Sequence, residues 1–147
     1  RIFADGDFVV AHLYVEFAGT RQAILEIFRL EEGKLAEHWD CTEMLSPAVA
    51  DPAPWYEGPT EVVDLDQTAQ NKELVRTHYE AHNPKGLETI HRILGQGNFV
   101  LVQASGSSEG KPVVKYILHH IKAGKLVQSW DLQQAIPEKM AHANGMI

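Results

Sequence analysis

The chain carries one cysteine, Cys41, in 147 residues. A single thiol cannot form an internal disulfide framework, and the scarcity fits a reducing cytosol. Positive charge is also in deficit. The formal net charge is −7, and without a basic face to neutralise phosphates a general nucleic-acid binder is excluded. No uninterrupted apolar run approaches membrane-spanning length, and no stretch follows a signal-peptide pattern. A cytoplasmic location is therefore expected, with neither membrane nor nucleic acid as partner. There is no initiator Met: the chain opens on Arg1 inside a strand-like segment, which reads as a fragment whose upstream part is missing. What is present is the mix of a soluble globular protein, 44% hydrophobic and 22% charged. The length suits one ordinary domain or two small ones.

The stretch Arg1–Leu45 reappears at Arg92–Ile136 with a constant offset (131 − 40 = 91) and no gap. Gly6 matches Gly97, Phe8-Val9 matches Phe99-Val100, and Gly19 matches Gly110. Gly33-Lys34-Leu35 matches Gly124-Lys125-Leu126, and Trp39-Asp40 matches Trp130-Asp131. A period this long is a duplicated half-domain rather than a solenoid unit.

Each copy reads as three antiparallel strands. Phe8–Phe17 alternates, with Phe8, Val10, His12 and Tyr14 on one face and Val9, Ala11, Leu13 and Val15 on the other. Gln22–Leu30 has the apolar content of a largely buried strand, and Glu31–Lys34 forms a hairpin in which Gly33 can take positive φ. The third strand, Leu35 to about Glu43, puts Leu35, Glu37, Trp39 and Cys41 opposite Ala36, His38, Asp40 and Thr42. The second copy repeats this near Phe99–Ser105, Val113–Ile121 and Leu126–Gln134.

Between the copies, residues 46–66 carry four prolines, Pro47, Pro52, Pro54 and Pro59, and read as an extended connector that Trp55-Tyr56 can pin to a surface. A helix is expected over Thr68–His82, with Thr68 as N-cap and Leu74, Val75, His78, Tyr79 and His82 as one stripe. Asn83-Pro84 ends it, and a short stretch, Lys85–His91, leads into the second meander. The segments are therefore 1–45, a linker 46–66, and 67–147.

Two metal-like patterns fail on inspection. His78 and His82 have i, i+4 spacing, but Tyr79 stands where a metalloprotease Glu would follow and no third ligand is evident. His119 and His120 point to opposite faces of a strand and cannot chelate together. Gly95, Gly97 and Gly106 follow no phosphate-loop pattern, and Cys41 reads as small core packing. No metal or cofactor is expected.

The block Ile27–Asp40, with Gly6–His12 before it, resembles the C-terminal half of SnoaL-like polyketide cyclases, of the nuclear transport factor-like (cystatin-like cone) superfamily. Trp130–Ile147 resembles the tail of that family, Asn71–Glu80 its opening helix, and His82–Pro84 a loop signature. The resemblance implies an α+β fold of curved antiparallel sheets, here as two repeated meanders joined by a proline-rich linker and one helix. The family places several helices before its sheet; the first copy has none and the second has one. Two sheets in one chain could then pack face to face, as dimers of this superfamily do.

The resemblance also implies a site. A carboxylate in an apolar cone can serve as general acid or base, and the family's acid resembles Asp40. His38 stands two residues earlier on the same face, and His12 joins them if the strands pair as in the family, giving a His–Asp–His group with Tyr14, Trp39, Trp130 and Asp131 as ligand-binding residues. At the repeat offset Asp131 is retained, but His38 becomes Ser129 and His12 becomes Gln103. Two functions follow as expectations. One is a cofactor-independent lyase, isomerase, cyclase or hydrolase acting on a small hydrophobic carbonyl compound. The other is a non-catalytic binding or dimerisation module. A homodimer or domain-swapped assembly is expected in either case, because an uncovered sheet face is a large apolar patch.

Overall fold

A computed structural model describes residues 1–83, 87–139 and 145–147. The described residues are α+β, with two four-stranded antiparallel sheets and one α-helix. The first sheet has strands β1 (Ile2–Asp5), β2 (Phe8–Phe17), β3 (Thr20–Glu31) and β4 (Lys34–Leu45), in that order. The second has β5 (Leu87–Gln96), β6 (Phe99–Ser108), β7 (Lys111–Lys122) and β8 (Lys125–Ala135), again in order. Each meander thus has one strand more than the hydrophobic pattern showed. β1 is only four residues long, and β5, which takes in most of the stretch read as a connection, carries register shifts between Leu87 and Thr89 and between Ile90 and Arg92. Those interruptions break the alternation by which a strand is recognised.

The turns explain the recurring glycines. Gly33 and Gly124 take φ of 74° and 68°, and the residues before them, Glu32 and Ala123, are also left-handed at 50°. Two consecutive positive φ values are what a tight hairpin demands. Just beyond each turn the pairing slips, between Arg29 and Leu30 and between His120 and Ile121.

The sheets pack face to face over one shared core. Phe3, Val10, Leu25, Ile27 and Cys41 of the first meet Phe99, Leu101, Tyr116, Leu118 and Trp130 of the second. The 1–45 and 67–147 segments are therefore not separate hydrophobic units. At the edge the two sheets exchange equivalent bonds: Ala4 N–H donates to Gln96 Oε1 and Gly95 N–H donates to Asp5 Oδ2, both at 2.9 Å.

The helix α1 (Thr68–His82) lies on the outer face of the second sheet, where Val75 and Tyr79 cover Val100, Val102, Ile117 and Ile121. Its N-cap is Gln67 rather than Thr68. The Thr68 hydroxyl is committed elsewhere: it donates to Leu65 O at 2.7 Å and accepts Gly97 N–H at 2.8 Å, tying the helix to the β5–β6 turn. Asn83 closes the helix in a left-handed conformation; Pro84 and residues 140–144 of the tail lie outside the described residues. No described helix is long and apolar enough to cross a membrane.

The connector is irregular, as its prolines require, with short 3-10 turns at Ala53–Trp55 and Leu65–Gln67. Trp55 packs against the shared core and Tyr56 stacks on Tyr14 with ring centroids 4.5 Å apart, so this aromatic pair does anchor it.

Candidate functional site

The residues expected to act together are divided between two faces. On β4, His38, Asp40 and Thr42 look outward from the first sheet. Asp40 is directly opposite Glu26 on β3 and His38 opposite Phe28. His38 Nε2 lies 3.9 Å from both Glu26 Oε1 and Asp40 Oδ1, and Thr42 donates its hydroxyl to Asp40 Oδ2 at 3.0 Å. The His38 and Asp40 side chains are 49% and 43% exposed. The pair therefore forms, but water surrounds it.

His12 is not part of it. It is paired with Leu25, which is paired with Cys41, so it faces the inter-sheet core. The cause is the slip beside the β3–β4 turn. Continuing the turn's pairing, in which Leu30 faces Leu35, would bring Asp40 opposite Leu25 on the His12 face. The extra residue of the bulge moves Cys41 there instead, and a one-residue shift sends every side chain beyond it to the other side.

In its actual place His12 is 4% exposed and packs against Trp130 with the rings tilted by 57° and centroids 5.5 Å apart. Arg1 Nη1 is 2.9 Å from its Nδ1, and Trp55 O is 2.9 Å from its Nε2. Guanidinium can only donate and a carbonyl can only accept, so Nδ1 accepts and Nε2–H donates. Burial, with the Arg1 charges adding, depresses this imidazole to about 4. His12 is a neutral structural bridge from the first sheet to the connector.

The aromatic candidates are likewise structural. Trp130 is buried, and the Arg1 guanidinium lies 3.6 Å from its ring centroid. Trp39 receives Arg92 in the same way at 4.2 Å. Tyr14 is covered by Tyr56. Asp131 looks outward beside a cavity of about 230 Å³ that Glu43 and Lys115 also line.

An open cleft lies elsewhere, between α1 and the second sheet. It has a volume of about 430 Å³ and is lined by His78, Tyr79, His119, Leu126, Val127, Gln128 and Ser129. At its floor Tyr79 Oη and His119 Nε2 are 3.0 Å apart, both side chains buried. Burial, reinforced by the charge of Asp131, pushes the Tyr79 phenol above its ordinary range, so it keeps its proton. The tautomer sets the direction: a His119 proton on Nε2 donates to Tyr79 Oη and frees the phenolic O–H for a ligand, whereas a proton on Nδ1 makes the phenol donate to Nε2.

Tyr79 and His119 were both visible in the sequence, one on the apolar helix stripe and one on an alternating strand. Nothing local announced their meeting, because residues 40 positions apart are joined only by docking α1 on β7. Among the described residues no group of three His, Cys, Asp or Glu side chains could hold a metal ion. Compared with known proteins, the chain matches no family model, no curated protein and no solved structure.

Proposed function

We infer that the chain is a non-catalytic small-molecule binding module whose ligand is a hydrophobic carbonyl compound held in the Tyr79–His119 cleft. The observation that carries this reading is the buried Tyr79–His119 pair at the floor of a cleft of ligand size. A phenol fixed by an imidazole is a directional donor for a carbonyl oxygen, and Leu126 and Val127 supply apolar wall. The SnoaL-like resemblance of the sequence, and with it a cone-type fold, supports placing the ligand between helix and sheet.

Acid/base catalysis at Asp40 is the weaker reading. Its favourable observation is the His38–Asp40 pair itself, but general acid/base work gains from a site that excludes water, and here the acid is open to solvent. A homodimer remains part of the proposal. Face-to-face packing of sheets is already met inside one chain, so a second copy would use the outer face of the first sheet, where Phe17 and Met44 are exposed.

The test is a thermal-shift screen of hydrophobic ketones and aldehydes on wild type, Tyr79→Phe and Asp40→Asn. Compounds that stabilise wild type and Asp40→Asn but not Tyr79→Phe support the cleft. Stabilisation lost only in Asp40→Asn would move the site to the first sheet and overturn the reading.

A further inference from the structure

The two Arg–Trp stacks are built alike and completed differently. At the first, every nitrogen of the Arg1 guanidinium is satisfied. Nε donates to Pro59 O at 2.6 Å, Nη1 to Tyr56 O at 3.0 Å, and Nη2 to Glu57 O at 3.1 Å. The stacked Trp130 joins in, its Nε1–H donating to Glu57 O at 3.1 Å, with Gln128 Nε2 on the same oxygen at 3.0 Å. This is a socket for backbone carbonyls, and the connector fills it. Gly58 fits flush: a Cβ there would stand 2.6 Å from Gln128 Oε1 and 2.9 Å from Trp130 Cζ2.

At the second stack no described residue makes the equivalent carbonyl contacts. Arg92 lies over Trp39, and among the described residues its guanidinium makes one hydrogen bond, from Nη1 to Gln103 Oε1. No described acceptor takes Trp39 Nε1–H. In front of the pair is a cavity of about 470 Å³, bounded by Glu37, His38 and, from the tail, Gly145 and Ile147. Glu37 stands where Gln128 stands at the other stack, and one of its oxygens holds Arg29 Nε at 2.6 Å.

We propose that the Arg92–Trp39 cavity is a binding site for an extended peptide segment, recognised through its backbone carbonyls. The Arg1–Trp130 socket supplies the template: carbonyls on a guanidinium edge, one of them shared with an indole N–H, and a glycine pressed against the ring. A planar fork with several donors suits such an array. Glu37 is ion-paired with Arg29, and its other oxygen can accept a peptide N–H. This site shares no residue with the Tyr79–His119 cleft and does not depend on it.

The probe is acetyl-Trp-Tyr-Gln-Gly-Pro-amide, the sequence of residues 55–59 with Gln in place of Glu57, titrated into ¹⁵N-labelled full chain. The protein has three tryptophans, so three indole N–H signals report separately. The expected result is a saturable shift of the Trp39 indole, with binding at least tenfold weaker when the probe's Gly is changed to Ala. Trp39→Phe keeps the stacked ring, deletes only the N–H, and should weaken binding severalfold. Arg92→Lys retains charge without the fork and should weaken it further. Equal affinity for the Gly and Ala probes, no saturable shift at millimolar peptide, or a response confined to the Trp130 indole would each overturn the proposal.

Discussion

Asp5 Oδ2 accepts the backbone N–H of Gly95 at 2.9 Å, and the same oxygen holds the ammonium of Lys72. One carboxylate on the edge of the first sheet thus ties down both a strand and the helix of the second. Asp5→Ala leaves the N–H of a buried glycine without its acceptor, a loss of about 1–3 kcal/mol. Asp5→Asn keeps an acceptor and gives up only the charge of a largely buried ion pair, so a smaller loss than that of Ala is expected. Urea unfolding should rank wild type, Asn and Ala in that order; an Ala midpoint at the wild-type value would contradict the bridging role.

Gly6 and Gly97 occupy equivalent turns with nearly equal φ, 59° and 57°, yet they should respond differently to alanine. Nothing lies within 4 Å of a Cβ built at Gly6, so Gly6→Ala meets only left-handed strain, about 1–2 kcal/mol. A Cβ at Gly97 would fall 1.9 Å from Val63 O. Gly97→Ala must therefore also displace the connector, which is held there by Val63 N–H on Asn98 Oδ1 and Asn98 N–H on Val63 O. A loss of about 3 kcal/mol or more is expected. Thermal melts of the two variants that coincide would show that the connector does not press on this turn.

His12 makes stability depend on pH. Its folded pKa, about 4, is below the ordinary 6.5, so between those values the unfolded chain binds more protons and stability rises with pH. Stability present at pH 7 should fall as pH drops from about 6.5 towards 4, by up to about 3 kcal/mol from this residue. His120, also depressed chiefly by burial, acts in the same direction. His12→Gln, which installs the residue found at the equivalent position 103, should flatten the decline but not abolish it. An unchanged slope of melting temperature against pH in that variant would remove His12 from the account.

Cys41 should be inert in the folded protein. It is fully buried in the shared core, and burial, with Asp40 and Glu43 adding, pushes its thiol up to about 12. Because the thiolate is the reactive form, a disulfide dye at pH 8 should label it only as fast as the sheets separate, and rapidly in urea. Prompt stoichiometric labelling without denaturant would show that the sheets part readily.

Much of the architecture could be read from periodicity. The alternation of β2, and of β4 from Glu37 onward, assigned each side chain its correct face, Leu35 on the turn side of the bulge being the exception, and α1 runs over Thr68–His82 as its stripe implied. What failed lay between strands. Whether His12 and Asp40 share a face depends on one extra residue in a bulge, which alters no local pattern and is set by how the turn closes. Thr68 has the chemistry of a cap, but a partner 29 residues away claims its hydroxyl. The Arg–Trp stacks were equally hidden, since each joins residues of different sheets whose only sequence signal is that both recur at the repeat offset.

The two faces that meet in the shared core belong to one polypeptide. In a dimer of identical subunits each substitution at such a contact is imposed on both sides of the symmetry axis. Here position 12 holds an imidazole that grips the connector, while position 103 holds an amide that serves Arg92 and Tyr116. Within one polypeptide neither side need copy the other, so one half can be spent on holding the connector while its counterpart takes different partners.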